Sequence, residues 1–203
     1  MAKRSNGTSV PLGFGDATAS IGDHIAHFYR GEAEMFGVVG PYIAEGIRRG
    51  DKCAFISSPP AAAQLREWLG AHSIDAAAAE EAGQLILHPG EATVADMQAM
   101  FERVEASALK DGYKFVRLAG DSGWALAGGT SVPEMLHWEA LYDEVSAGWQ
   151  MLALCQFDLT LFGGDVVMDA LRAHPLCIMG QVLLRNPLHV EPQALLQELA
   201  ARA

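Results

Sequence analysis

The side chains best suited to binding chemistry stand where apolar segments of the chain end. Continuous apolar runs, which are typical of strands buried on both faces, are followed directly by polar residues. Ligands bind beyond the carboxyl ends of strands in an open parallel sheet, so these positions predict a pocket for a small molecule. The residues concerned are Tyr29, Arg30, Ser57, Ser58, His88, Asp121, Trp124 and Asp158. The alternative is that these residues are solvated or cap helices.

Four more residues complete the predicted ligand-binding set: His24, Glu139, Cys155 and His174. Glu139 falls near the apolar face of a predicted helix, where an unpaired carboxylate is costly, and the alternative is a solvent-facing side chain. His174 precedes Pro175 and could hydrogen-bond across the pocket or cap a helix. His24 and His27 are an odd number of residues apart in one predicted strand, so they are expected on opposite faces of the sheet.

The cysteines argue against both a disulfide framework and a metal site. Three cysteines, Cys53, Cys155 and Cys177, are an odd and sparse set, which fits a reducing compartment. Cys155, His174 and Cys177 lack the paired spacing of a zinc site, so no metal and no cofactor are predicted. Cys155 and Cys177 lie inside apolar runs, where small buried residues are common. A redox sensor would require one of these thiols to be accessible.

Two catalytic signatures are absent from the sequence. After the first predicted strand the chain reads Tyr29-Arg30-Gly31-Glu32-Ala33-Glu34-Met35, without the Lys of a phosphate-binding loop and with acids where phosphates would lie. The G-x-S-x-G nucleophile elbow is also missing. Acids and histidines could still perform acid–base chemistry, but an enzyme is the least favoured function.

Length, composition and charge restrict the class of protein. The 203 residues are 50% hydrophobic and 19% charged, which predicts one globular domain. The net charge of −11 repels phosphate backbones, so direct binding to nucleic acid is not expected. No apolar segment follows Lys3 and Arg4, and no run is long enough to span a bilayer, which predicts a cytoplasmic protein without membrane contact.

Strand and helix patterns alternate along the chain and predict an α/β protein with a mainly parallel sheet covered by helices on both faces. Residues 1–20 are rich in small and turn-forming residues and are interpreted as a mobile arm, followed by one domain over 21–203. The predicted strands are 22–29, 53–57, 85–88, 115–119, 151–157 and 176–184. The predicted helices are 32–49, 61–72, 74–82, 94–109, 133–147, a short one around 166–171, and 192–203.

Several short motifs, taken in their order and spacing, resemble the family of MEDS sensory domains. The motifs are His24-Ile25 with Phe28-Tyr29, GIRRGDKCAFIS over 46–57, Gly120-Asp121 with Trp124-Ala125-Leu126, Glu139, Cys155-Gln156-Phe157-Asp158, DALRAHP over 169–175, and Asn186-Pro187. The resemblance covers about residues 22–192. It implies a three-layer, RecA/KaiC-like fold with a degenerate phosphate loop and a sensory role. Members of the family are usually fused to output modules, so here the output is expected to pass through a separate partner. Leu188 departs from the aromatic residue that the family often has there.

The favoured hypothesis is a sensory domain that binds a small, apolar or weakly polar molecule at the strand ends. Asp121, Glu139 and Asp158 would orient the ligand, and Tyr29 and Trp124 would form walls. Binding would shift the loop over 126–132 and change a surface that contacts a regulatory protein. The alternative is a regulator of a transcription or kinase pathway that acts through protein contacts without a ligand. A homodimer is an open possibility.

Overall fold

A seven-stranded sheet forms the centre of the protein. The computed structural model describes residues 8–123, 126, 130–146 and 148–202. The strands are β1 Ser9–Pro11, β2 Thr18–Ser20, β3 His24–Tyr29, β4 Lys52–Ile56, β5 Leu85–His88, β6 Val116–Asp121, β7 Met151–Asp158, β8 Leu176–Met179 and β9 Val182–Arg185. The helices are α1 Gly31–Arg49, α2 Pro59–Ala71, α3 Ala76–Glu81, α4 Val94–Lys110, α5 Val132–Val145, α6 Gly164–Ala173 and α7 Pro192–Ala200.

The strand order in the large sheet is β5-β4-β6-β7-β3-β8-β9, and every neighbouring pair is parallel except β8 with β9. This arrangement confirms the prediction of an α/β fold with a mainly parallel sheet. Every residue of β3 and β4 is buried, because helices cover both faces of these strands. Burial on both faces explains why these strands appear as continuous apolar runs in the sequence.

Two helical layers enclose the sheet. Helices α1, α2 and α3 pack on one face, in a core that includes Ile43, Leu65 and Phe55. Helices α4, α5 and α6 pack on the other face, where Phe101, Trp138 and further apolar side chains meet β4, β6 and β7. Helix α7 packs against α5 and α6 rather than directly on the sheet. None of the described helices combines the length and apolar character needed to cross a bilayer.

The N-terminal segment is part of the folded structure, which corrects the prediction of a mobile arm for residues 8–20. Strands β1 and β2 pair as an antiparallel ribbon, and Val10, Leu12, Phe14 and Ala19 are buried in the α1 side of the core. The composition suggested mobility because these few apolar residues are separated by small and turn-forming ones. Residues 1–7 lie outside the described part of the chain.

The apolar segment 176–184 is a hairpin, and the prediction of a single buried strand there is wrong. Gly180 adopts a left-handed conformation with φ of 62° and turns the chain between β8 and β9. Strand β9 pairs antiparallel with β8 at the edge of the sheet, and Val182 and Leu184 are exposed. Apolar residues on an exposed edge produced the same pattern as a buried strand.

A buried ion pair ties the ribbon, α1 and β6 together. The guanidinium of Arg117 is fully buried and donates from Nε to Oδ2 of Asp51 at 2.8 Å and from Nη1 to the carbonyl of Pro11 at 2.8 Å. The same guanidinium lies 5.3 Å from the ring centre of Tyr42. Gly46 makes room for it, since a Cβ there would stand 2.6 Å from Cδ of Arg117.

We expect Asp51→Asn to lower the free energy of unfolding by about 3–5 kcal/mol, because it leaves a buried guanidinium without its carboxylate. Urea unfolding followed by circular dichroism measures the change. Glu80→Gln is the matched control, since Glu80 pairs with Arg66 at the surface and its loss should cost about 1 kcal/mol or less. Equal losses in the two variants would contradict this role of the Arg117 pair.

Candidate functional site

The structure divides the predicted ligand-binding residues into two groups on opposite faces of the sheet. Tyr29, Asp121 and Asp158 end β3, β6 and β7 on the face covered by α1. Tyr29 lies beside Asp158 in the register of β3 and β7. Trp124, predicted as a wall of the same pocket, lies outside the described residues.

The carboxylates of this first group accept local turn hydrogen bonds. Oδ1 of Asp121 accepts from the backbone N–H of Gly123 at 2.9 Å, and Oδ1 of Asp158 accepts from the N–H and the hydroxyl of Thr160. Burial and the nearby charge of Asp158 raise the pKa of Asp121, although the Gly123 N–H opposes this shift. Burial, followed by the two carboxylates, also raises the pKa of Tyr29. These contacts are turn hydrogen bonds rather than helix caps, and they leave the role of Asp121 and Asp158 in ligand binding a prediction.

The second group is a compact polar cluster inside the other face of the sheet. His24 begins β3, Cys155 lies in β7, Glu139 projects from α5, and His174 follows the last residue of α6. One side-chain N, O or S atom from each of the four lies within 4.8 Å of the others. His24, Glu139 and His174 are at most 4% exposed, and Cys155 is partly exposed. We call these four residues the His–Glu–Cys cluster.

Oε2 of Glu139 lies between the two imidazoles of the cluster. It is 3.3 Å from Nε2 of His24 and 3.4 Å from Nε2 of His174. Nε2 of His24 is also 3.3 Å from Sγ of Cys155. The centres of the two imidazole rings are 3.8 Å apart, and the ring planes are tilted by 42° to each other.

Outer contacts fix the orientation of these side chains. Nδ1 of His24 lies 3.3 Å from Oδ1 of Asp143, and Nδ1 of His174 is 2.6 Å from the carbonyl of Ala170. The carbonyl can only accept, so Nδ1 of His174 carries a proton and donates to it. The hydroxyl of Ser122 donates to Oε1 of Glu139 at 3.5 Å.

The cluster separates the pKa values of its members. Burial opposes the ionisation of Glu139, but the adjacent imidazoles of His174 and His24 lower its pKa to about 2. Burial would lower the pKa of His24, yet Cys155, Asp143 and Glu139 together raise it well above the ordinary value. Burial and the neighbouring His24 lower the pKa of His174. Burial and Glu139 raise the pKa of the Cys155 thiol to about 12.

A small cavity adjoins the His–Glu–Cys cluster. Its volume is about 30 Å³, and it lies between β4, β6, α4 and α5. Glu139 and Cys155 form part of its wall together with Ser122 and Gly120. The remaining lining is mostly apolar: Ile56, Met97, Phe101, Leu118, Trp138 and Tyr142. Ile56 and Gly120 are at or near the carboxyl ends of their strands, but the predicted strand-end residues Tyr29, Asp121 and Asp158 are not part of the lining.

Two residues of this site were missed by the sequence analysis. Asp143 follows Glu139 by one helical turn, so the spacing i, i+4 alone places both carboxylates on one face of α5. Ser122 offers no comparable signal, because only the folded chain brings it to Glu139. Cys177, which the sequence grouped with Cys155 and His174, lies in an apolar core cluster with Phe28 and Phe157 and does not join the four.

His27 lies on the opposite face of β3 from His24, as their odd separation predicted. Its Nδ1 accepts from Nε2 of the buried Gln156 at 3.3 Å, and its ring lies 5.5 Å from that of Tyr29. The side chain is 1% exposed, and burial lowers its pKa to about 4. His27 is therefore a neutral core residue at physiological pH.

The N-terminus of α1 is occupied by the chain's own carboxylate. Oε2 of Glu34 accepts from the backbone N–H of Arg30 at 2.7 Å, one residue before the helix begins. This is the position, after a central parallel strand, where a phosphate-binding loop would place its anion. Gly31 begins the helix with a positive φ of 69°.

Comparisons with known proteins agree with this fold. A family model described as the methanogen/methylotroph, DcmR sensory domain (MEDS) matches residues 23–175. The transcriptional repressor DcmR of Methylorubrum extorquens (strain DSM 6343 / CIP 106787 / DM4) is 29% identical over 153 residues, which are 75% of this chain. The match spans only 58% of the length of that relative.

Two solved structures are similar in fold. A KaiC-like protein from the hyperthermophilic archaeon Pyrococcus horikoshii OT3 aligns with a TM-score of 0.60 at 13% identity, over 84% of this chain and 79% of that one. The flagellar accessory protein FlaH from Methanocaldococcus jannaschii aligns with a TM-score of 0.51 at 9% identity, over 80% and 75% of the two chains. The RecA/KaiC-like fold is therefore confirmed.

The lowered pKa of His27 predicts a defined loss of stability in acid. Between pH 6.5 and about 4 the unfolded chain takes up a proton at His27 and the folded chain does not, so stability falls as the pH is lowered through this window. We expect His27→Asn to remove this component. The difference in unfolding free energy between wild type and variant should shrink by up to about 3 kcal/mol from pH 7 to pH 4. Urea unfolding at several pH values tests this, and a constant difference would contradict it.

Proposed function

The chain belongs to the MEDS family of sensory domains, and on this premise we propose that it senses a very small, largely apolar molecule and passes the signal to a regulatory protein. The observation that carries the ligand class is the cavity beside the His–Glu–Cys cluster. It combines an apolar wall with a few polar groups, which is the usual composition of small-molecule sites.

The size and chemistry of the cavity restrict the ligand. A volume of about 30 Å³ exceeds the roughly 10–15 Å³ that one water molecule needs, but it leaves no room for a nucleotide or a sugar. A one- or two-carbon molecule is the size that fits with little rearrangement. Ser122, Glu139 and Cys155 supply the polar contacts, and the ring of Trp138 is part of the apolar wall.

Helix α5 is well placed to transmit the signal. Trp138, Glu139 and Tyr142 of this helix line the cavity, while Ala140 packs with Leu195 of α7 on the outer side. A ligand that binds more tightly when α5 is in one of two positions would favour that position. The surface that α5 forms with α7 would then move. The predicted movement of the loop over 126–132 belongs to the same proposal, since the loop leads into α5; its residues 127–129 lie outside the described part.

The relative that is a transcriptional repressor supports a role in transcription regulation, and we propose that this role is cytoplasmic. We propose a regulatory protein as the partner, and a second copy of this chain as the alternative. The KaiC-like fold would permit nucleotide hydrolysis, but the carboxylate of Glu34 at the start of α1 favours a non-enzymatic role. Tyr29, Asp121 and Asp158 stay proposed contacts for a ligand or partner at the strand ends.

Filling the cavity should abolish ligand binding without unfolding the protein. A Cβ added at Gly120 meets no atom within 4 Å, and Gly120 lines the cavity, so the methyl groups of Gly120→Val would occupy the space that the ligand needs. We expect at least one compound from a panel of one- and two-carbon alcohols, amines and halogenated hydrocarbons to raise the melting temperature of the wild type by a few degrees. Gly120→Val should lose this shift.

Gly70→Ala is the matched control for Gly120→Val. A Cβ at Gly70 also meets nothing within 4 Å, but this glycine lies on helix α2, away from the cavity. The control should keep the full ligand-induced shift. An equal shift in the wild type and Gly120→Val would place the ligand elsewhere and contradict the proposal.

A further inference from the structure

We propose that the His–Glu–Cys cluster binds one Zn²⁺ ion. The proposal stands on the side-chain geometry of the cluster and does not depend on the identity of any sensed molecule. It revises the expectation from sequence that no metal is bound. That expectation considered Cys155 with His174 and Cys177, whereas the structure assembles Cys155 and His174 with His24 and Glu139.

The donor atoms are those that zinc takes from proteins. Two imidazole nitrogens, one cysteine sulfur and one carboxylate oxygen make a four-ligand set. A thiolate and a carboxylate together carry two negative charges, so Zn²⁺ would make the buried centre electrically neutral. Sulfur and imidazole ligands disfavour Mg²⁺ and Ca²⁺, which take oxygen ligands.

Three distances between donor atoms are close to the edges of a zinc tetrahedron. Zinc–nitrogen and zinc–oxygen distances of about 2.0–2.1 Å give an N–O edge of roughly 3.3 Å in a regular tetrahedron. The two N–O distances in the cluster, from Oε2 of Glu139 to the histidines, are 3.3 and 3.4 Å. An N–S edge is roughly 3.6 Å for a zinc–sulfur distance of about 2.3 Å, and Nε2 of His24 lies 3.3 Å from Sγ of Cys155.

Two of the four donor atoms of the cluster are buried and have no hydrogen-bond partner among the described residues. They are Oε2 of Glu139 and Nε2 of His174, and both point into the cluster. Buried polar atoms are nearly always satisfied, so such a pair at one point requires an explanation. A cation bound between them supplies the missing interaction for both atoms.

The outer contacts are those expected around zinc-binding histidines. Such histidines usually donate their second ring N–H to a carboxylate or a backbone carbonyl, which fixes the ring and its tautomer. His174 contacts the carbonyl of Ala170 in this way, and His24 has the carboxylate of Asp143 at 3.3 Å. Ser122 similarly donates to the second oxygen of Glu139. His174 and Glu139 therefore have hydrogen-bonded outer partners, and the Asp143 carboxylate lies close to Nδ1 of His24 without an aligned hydrogen bond.

The ion would join distant parts of the chain and the wall of the cavity. Its ligands come from β3, α5, β7 and the end of α6, so binding would stabilise the folded state over the unfolded one. Glu139 and Cys155 also line the cavity, which places the proposed ion at its polar wall.

Metal content and cobalt spectroscopy test the proposal on the full chain. Protein purified without chelators should contain about one zinc per chain by inductively coupled plasma mass spectrometry. After removal of the zinc, Co²⁺ should give the intense visible bands of tetrahedral coordination and a thiolate-to-cobalt charge-transfer band in the near ultraviolet. Cys155→Ser should lose the charge-transfer band, whereas Cys177→Ser, which changes a thiol outside the cluster, should keep it.

Asp143→Asn tests the outer contact without removing a ligand. We expect it to weaken Co²⁺ and Zn²⁺ binding about 10–100-fold, because the amide holds the ring of His24 less well, while the visible bands of bound Co²⁺ keep their intensity. Glu80→Gln is the control, since this carboxylate pairs with Arg66 at the surface outside the cluster, and it should leave the metal affinity unchanged.

Three results would overturn the proposal. Wild-type protein that neither contains nor takes up zinc would exclude the site, and a charge-transfer band that survives Cys155→Ser would exclude this ligand set. Protein isolated with a different metal at full occupancy would exclude zinc as the resident ion. The zinc measurement and the ligand measurement can fail separately. If Gly120→Val contains zinc but its melting temperature no longer responds to the ligand, both proposals are supported. If the wild type contains no zinc but its melting temperature still responds to the ligand, only the zinc proposal is excluded.

Discussion

The burial of Glu139 between two histidines is the interaction on which the interior of this protein depends. A lone carboxylate in such a position would carry a desolvation cost of several kcal/mol. Here the imidazoles of His24 and His174 lie within 3.4 Å of one carboxylate oxygen. Each of these imidazoles has a second polar contact, with Asp143 or with the carbonyl of Ala170. The polar centre thus fixes the relative positions of β3, α5, β7 and the end of α6, and the cavity beside it inherits that fixed geometry.

The sheet has a RecA/KaiC-like fold, and the turn after its central strand does not carry a phosphate-binding loop. Strand β3 is central and parallel to both of its neighbours, and α1 follows it directly, as in a strand–loop–helix unit that holds phosphate. The carboxylate of Glu34 now accepts the hydrogen bond at the start of α1. The His–Glu–Cys cluster lies on the other face of the sheet, where α5 and α6 enclose it. A fold does not determine a function, so the function is argued from the site.

The sequence was informative wherever one physical factor determined the pattern. Burial on both faces made β4 and β7 recognisable, and strand alternation placed His24 and His27 on opposite faces. It failed where two structures share one pattern: the hairpin of β8 and β9 has the composition of a buried strand, and the ribbon of β1 and β2 that of a mobile arm. The cluster itself could be predicted only in part. Its four residues were candidates, but their assembly depends on contacts across more than a hundred residues, and only the spacing of Glu139 and Asp143 was a local signal.

Anomalous X-ray diffraction shows directly whether the His–Glu–Cys cluster holds zinc, when crystals of protein purified without chelators are measured on both sides of the zinc absorption edge. The account predicts one strong anomalous peak, present only above the edge, bounded by Nε2 of His24, Oε2 of Glu139, Sγ of Cys155 and Nε2 of His174, with metal–sulfur and metal–nitrogen distances of about 2.3 and 2.0–2.1 Å. A cluster with no anomalous density, closed instead by direct hydrogen bonds among these side chains, would contradict it.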